Sequence, residues 1–113
     1  MQNYKKLKAW ALAHALLLNI HRELKTFPRE YSSLRSQLRR AAESIVFNIV
    51  EGCGFVSQKE FARFLQSSIS STNEVEYELH VAHEYGLIPK RRWEFLTEDT
   101  IEVRKTTMGL GRR

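Results

Sequence analysis

Apolar residues return every three or four positions along four successive segments of this 113-residue chain, and Pro or Gly stands in each gap between them. That rhythm is what an α-helix imposes on its buried face, because 3.6 residues complete a turn. No segment shows the period-two alternation of β-branched residues that marks a strand. The clearest case runs into QLRRAAESIVFNIVEGCG, Gln37–Gly54. There Leu34, Leu38, Ala41, Ala42, Ile45 and Ile49 share one stripe, and Gly52 with Gly54 is expected to end the helix as C-cap glycines do.

Four helices follow. The first is expected from about Lys5 to Lys25, with Leu7, Trp10, His14, Leu17, His21 and Leu24 on its core face, because Pro28 makes Phe27 a poor helical residue. The second runs from about Ser33 to Glu51, with Ser32 or Ser33 as N-cap. The third opens on Ser57-Gln58-Lys59-Glu60, a capping box in which hydroxyl and carboxylate satisfy each other's backbone N–H groups. It continues to about Tyr85 before Gly86, burying Phe61, Phe64, Leu65, Val75, Leu79 and Ala82. The fourth follows Pro89 from about Lys90 to Met108, burying Trp93, Leu96, Val103 and Leu110; Thr97, Thr100, Thr106 and Thr107 are poor helix formers within it. Connections this short favour antiparallel neighbours. The expected fold is all-α: a single domain over residues 1–113, folded as an up-down-up-down antiparallel four-helix bundle.

Several strings in these helices belong together: Q-L-R-R-A-A-x-S-I…N-I-x-E-G-x-G within Gln37–Gly54, L-K-A-W-A-x-A-H at Leu7–His14, F-P at Phe27-Pro28, and K-E-F-x-R-F-L at Lys59–Leu65. Glu74, Glu76, Leu79 and Ala82, with Gly86-Leu87-Ile88-Pro89, complete the set. By them the chain resembles the family of small four-helix-bundle proteins encoded within intervening sequences of bacterial 23S ribosomal RNA genes, also called the S23 ribosomal protein family. It departs from that pattern at Val46-Phe47, at Cys53 inside the glycine pair and in the Thr-rich fourth helix. The resemblance implies the same bundle over almost the whole chain, assembled as rings of five. A remoter similarity, to accessory bundle proteins of reverse transcriptases in diversity-generating retroelements, transfers no residue.

Lysine and arginine outnumber aspartate and glutamate by 18 to 13, giving a net charge of +5 and a pI near 9.6. The excess permits anionic partners without requiring them. The lone Cys53 can form no internal disulfide and no signal-peptide pattern opens the chain, so a cytoplasmic location is expected. The longest uncharged apolar run, Ala9–Leu18, is about half of the ~20 residues a membrane span needs, and no membrane contact is expected.

That run is uncharged around its whole circumference, whereas a helix in a solitary bundle keeps one wet face. Leu12 and Leu16 are read as pointing away from Trp10 and Leu17, and Phe47 as projecting opposite Leu38 and Ile45. Single surface leucines are ordinary. Three displaced apolar residues on two helices make Leu12, Leu16 and Phe47 the expected homo-oligomer interface.

Laid antiparallel, the helices gather Lys5, Lys6, Lys8, Lys59, Arg63, Arg112 and Arg113 at one pole, opposed by Glu51 and Glu60. The other pole carries Arg22, Lys25, Arg29, Arg35, Lys90, Arg91 and Arg92, diluted by Glu23, Glu30, Glu84 and Glu94. Cations at a helix start oppose the macrodipole, and a phosphate backbone would account for them through counterion release. The competing reading is a solvated charged face, because no aromatic platform interleaves these residues. Arg39 is placed along a helix seam, paired with Glu43 or with Glu74 or Glu76, and Arg40 on the opposite side near Phe47 and Glu51. Asn48, at the edge of the stripe, is expected to hydrogen-bond a neighbouring helix.

Catalytic chemistry finds little support. No Glu is followed three residues later by His, as di-metal bundles require. His80 and His83 read as residues of a partly exposed helix, and His14 and His21 as satisfied core histidines. Cys53, even were it exposed between its glycines, has no local base or orienting acid, and Gly52-Cys53-Gly54 lacks the lysine and preceding strand of a phosphate loop. No catalytic residue, cofactor or metal is expected. The leading expectation is a non-enzymatic oligomeric bundle that binds nucleic acid, structured RNA first, through the pole of Lys5, Lys6 and Lys8. The alternative is a homo-oligomeric protein-interaction scaffold in which Glu74, Glu76 and Glu78 matter more than the lysines.

Overall fold

The helices form where apolar spacing puts them, and local hydrogen bonds set their ends. The computed structural model describes residues 1–111, with α1 at Lys8–Leu24, α2 at Ser32–Cys53, α3 at Gln58–Glu84 and α4 at Lys90–Leu110. Short 3-10 turns, Tyr4–Lys6 and Arg29–Tyr31, precede α1 and α2. The first of these delays α1: the Asn3 side chain accepts the Lys5 N–H, winds a separate turn and leaves Leu7 extended. Ser32 and Ser33 are already helical and cap nothing; Tyr31 holds the N-cap position of α2. Ser57 does cap α3 by accepting the Glu60 N–H, but the Glu60 carboxylate turns to Arg63 at 2.9 Å, so half of the expected capping box forms. At the far end of α3, Gly86 adopts φ +82°, which lets Leu87 N–H reach the Ala82 carbonyl and Gly86 N–H reach that of His83, both at 2.9 Å.

Each helix packs on its neighbours in chain order and α4 returns to α1, while diagonal helices stay apart. The result is the up-down-up-down bundle, 44 Å long and about 20 Å across, with no strand among the described residues. Leu16, Ile20, Leu38, Ile45, Ile49, Leu65, Val75, Leu79, Leu96 and Val103 are fully buried along its axis. The most extensive pair is α2 with α3. It is stitched by the Ser68 hydroxyl donating to the Ile45 carbonyl and by the Ser44 and Ser71 hydroxyls, each contact at 2.8 Å. Gly52 proves to be a packing residue, not a cap. It lies inside α2, where a Cβ would stand 3.0 Å from Phe64 Cβ and 3.2 Å from Phe61 Cδ1, and Gly54 caps the helix in ordinary right-handed backbone.

α1 departs most from expectation. Its buried face is Ala9, Ala13, Leu16, Ile20 and Leu24, so Leu16 is a core residue, 1% exposed, and no part of an outer interface. Trp10, His14 and Leu17 are half-buried and His21 is exposed, which also removes these histidines from the core. An all-round apolar helix has no inside that periodicity can reveal. Spacing favours its bulky residues, whereas the bundle turns Ala9 and Ala13 inward, where a narrow edge lets backbones approach. In α4 the threonines take core positions: Thr100 and Thr107 are buried, their hydroxyls donating to the Leu96 and Val103 carbonyls at 2.7 Å. Arg104 joins α4 to α3 through Thr72 and Glu76, and Arg92 joins it to α1 through Glu23 at 2.9 Å. No helix among the described residues is long and apolar enough to cross a membrane.

Candidate nucleic-acid interface

Antiparallel packing brings the start of α1, the α2–α3 connection, the start of α3 and the end of α4 to one pole. The Gln2 N–H donates to the Cys53 carbonyl at 2.9 Å, and Met1, Gln2, Phe55–Gln58, Phe61 and Leu110 line a common depression. Lys5, Lys6, Lys8 and Lys59 are exposed there and pair with no carboxylate among the described residues. Arg63 is exposed but bonded to Glu60, which neutralises part of its charge. Arg112 and Arg113, expected at this pole, lie outside the described residues.

The fold also supplies what the sequence does not show. Phe55 and Phe64 stack with centroids 5.2 Å apart and planes 19° apart, and the Arg63 guanidinium lies 4.7 Å over the Phe64 ring. The Lys5 ammonium stands 6.0 Å from the Tyr4 ring, which meets Trp10 edge-on at 5.3 Å. Phe55 is 40% exposed, so this aromatic cluster is open to solvent beside the free lysines. Its members are scattered through the chain and no spacing rule links them. The one local signal is the apolar pair Phe55-Val56 in a loop between Gly54 and Ser57. Cations for phosphates beside ring faces for bases are the two features a single strand exploits.

From this pole a shallow groove of 790 Å³ follows α2, lined by Tyr4, Trp10, His14, Val46, Phe47, Val50 and Phe64 among others. Phe47 projects into solvent, 59% exposed, as its position in the sequence predicts. Leu12 does not join it, being half-buried against the core. With Leu16 inside, Trp10 and Val50 are the apolar neighbours that accompany Phe47.

The polar residues of α2 are rearranged too. Arg39 keeps only Glu43, at 3.9 Å, while Glu76 belongs to Arg104 and Glu74 is exposed without an ion-pair partner among the described residues. Arg40 is the residue that meets the acids of α3, sharing a cleft with Gln37, Ser44, Glu74 and Glu78. Asn48 donates to the carbonyl and hydroxyl of Ser44, at 2.8 and 3.0 Å, within its own helix. A short amide at the edge of a stripe reaches its own preceding turn more readily than the next helix, and the cross-helix bond falls to Ser44 and Ser71.

Glu78 carries a buried carboxylate oxygen without a partner. Burial, reinforced by Glu74 and opposed by Arg40, pushes its carboxyl from 4.5 up to about 7. Below the lower value both folded and unfolded chains hold the proton. Between the two values the unfolded chain releases it first, so stability falls as pH rises and the full cost is present above the higher value. Glu78→Gln is therefore expected to raise stability at pH ~8 by about 1–2 kcal/mol, solvent screening included, and to lose that gain near pH ~4. Denaturant unfolding at the two pH values checks both signs.

Cys53 is buried, 2% exposed, and burial raises its thiol pKa against the lowering influence of the amino terminus. His80 pairs with Glu84 at 3.3 Å, and His83 Nδ1 meets the Ile88 carbonyl at 2.8 Å. Among the described residues no three His, Cys, Asp or Glu side chains converge as metal ligands.

A family model described as 23S rRNA-intervening sequence protein matches residues 5–109. The crystal structure of a protein of unknown function from the S23 ribosomal protein family of Bacteroides thetaiotaomicron superposes with a TM-score of 0.86 at 21% identity, over 93% of this chain and 99% of that one, a likeness of fold. No curated protein matches the chain.

Proposed function

The chain belongs to the 23S rRNA-intervening sequence protein family, and from that premise and the chemistry of its pole we propose a non-enzymatic, cytoplasmic bundle that binds unpaired segments of structured RNA. The observation that carries this reading is the set of unpaired Lys5, Lys6, Lys8 and Lys59 beside the Phe55–Phe64 stack. The lysines supply salt-dependent affinity for phosphates, and the rings take bases that a duplex keeps stacked. Phe55→Ala is expected to weaken single-stranded RNA binding by about 5- to 100-fold while leaving duplex binding nearly unchanged. Equal losses on both, or none on either, would remove the stack from the site.

Self-association belongs to the same reading. Exposed Phe47, with Trp10 and Val50 beside it, supports a contact between copies. The ring of five that the family resemblance implies would repeat the lysine pole and raise avidity. Phe47→Ser is expected to reduce the mass measured by light scattering to one 13.3 kDa chain. An unaltered mass would exclude this face. A protein-interaction scaffold is what remains if no nucleic acid binds.

A further inference from the structure

The end of the bundle opposite the lysine pole is a second cationic surface. Two contacts assemble it. Arg92 at the start of α4 reaches Glu23 at the end of α1 at 2.9 Å, and Tyr31, just before α2, meets Tyr85, just after α3, with ring centroids 5.7 Å apart. Arg22, Lys25, Arg29, Lys90 and Arg91 are exposed around these contacts, and none pairs with a carboxylate among the described residues. The acids that dilute this pole in the sequence are partly withdrawn. The Glu23 side chain is sheltered against Arg92, 11% exposed, and Glu84 turns to His80 at 3.3 Å, so Glu30 and Glu94 are the acids left exposed without an ion-pair partner among the described residues.

The placement of these charges is unfavourable to the chain alone. Lys90 and Arg91 occupy the first turn of α4, which holds no acid and has no side-chain bond from its N-cap, Pro89. Cations there oppose the macrodipole, an opposition offset when an anion sits among them. Five free cations spread over three segments exceed what one phosphate group contacts and suit a chain of phosphates. An acidic polypeptide would meet the same charges, but this pole also presents ring faces. Tyr85, 58% exposed, rests on Tyr31, and Phe95, 42% exposed, carries the Arg92 guanidinium 5.1 Å over its ring. Open rings beside cations are what unstacked bases use, and a carboxylate chain has no base to stack.

We propose that this pole is a second contact for single-stranded RNA, an inference resting on the reading of the lysine pole above, so that one chain holds two strand segments at opposite ends of a 44 Å bundle. An oligonucleotide of about six residues fills a small single-strand site and spans about 20 Å at helical spacing, too short to serve both ends. Sedimentation of the labelled oligonucleotide with the whole protein at low salt is expected to count two bound per chain, whatever the number of chains in the assembly. Replacing Arg29, Lys90 and Arg91 with alanine is expected to leave one, replacing Lys5, Lys6 and Lys8 to leave one, and the combined variant none, with helicity unchanged throughout. Tyr85→Ala, at an exposed ring, is expected to weaken this site alone by about 5- to 100-fold. One oligonucleotide per chain in the parent, lost with the three lysines, overturns this inference and leaves the lysine pole standing. One lost instead with Arg29, Lys90 and Arg91 supports this site and removes the lysine pole. No binding at millimolar oligonucleotide overturns both. Polyglutamate displacing the RNA as well as unlabelled RNA does, or binding indifferent to Tyr85→Ala, marks a general polyanion surface and overturns the assignment.

Discussion

Replacing Lys5, Lys6 and Lys8 together with alanine is expected to lower RNA affinity by about 10- to 100-fold at moderate salt and to flatten the slope of log K against log salt by about 2, because each phosphate contact on a single strand contributes ~0.7. The three lysines are exposed on a 3-10 turn and at the first residue of α1, and no carboxylate among the described residues pairs with them. Their charge is therefore available to a ligand. It also opposes the α1 macrodipole, so the variant should be at least as stable as the parent. That separates a binding defect from a folding defect. An unchanged salt slope would take these lysines out of the site whatever the affinity.

Gly52→Val is expected to destabilise the fold by about 1–3 kcal/mol, read as a fall in melting temperature of roughly 10 °C. The position faces Phe64 Cβ and Phe61 Cδ1 at the limit of contact, and Phe64 Cβ cannot swing aside as the end of a flexible side chain would. Gly52→Ala sharpens the test. Inside a helix that change ordinarily gains about 1 kcal/mol. Here the added methyl meets α3 and the gain should vanish, whereas Gly109, with nothing within 4 Å of an added Cβ, accepts alanine without strain. Full stabilisation by Gly52→Ala would mean that α2 and α3 do not close on this glycine. The consequence would reach the pole, since Phe64, held against Gly52, also carries the Phe55 stack.

Legibility in the sequence followed how each helix is faced. In α2 and α3 one apolar stripe alternates with charged surface, so Leu38, Ile45, Ile49, Leu65, Val75 and Leu79 could be assigned to the core from spacing alone. α1 offered no such contrast around Ala9–Leu18, and its rotation was settled by the small residues that permit close approach. The lysine pole was readable because helix order and antiparallel packing determine which ends meet. The Phe55–Phe64 stack was not, because it depends on how the loop after Gly54 folds back on α3. Arg104 escaped notice for a similar reason: its partners Thr72 and Glu76 sit on another helix, and only the α3–α4 register brings them together.

The most direct measurement is an anisotropy titration of the unmodified protein with labelled single-stranded and hairpin RNA from about 50 to 200 mM salt. Binding at micromolar concentration or tighter is predicted, strongest where the RNA has unpaired bases, with affinity falling about 10- to 100-fold across that range as four lysines exchange for counterions. Failure to bind any RNA or DNA at micromolar concentration, or binding indifferent to salt, would contradict a nucleic-acid role for this pole.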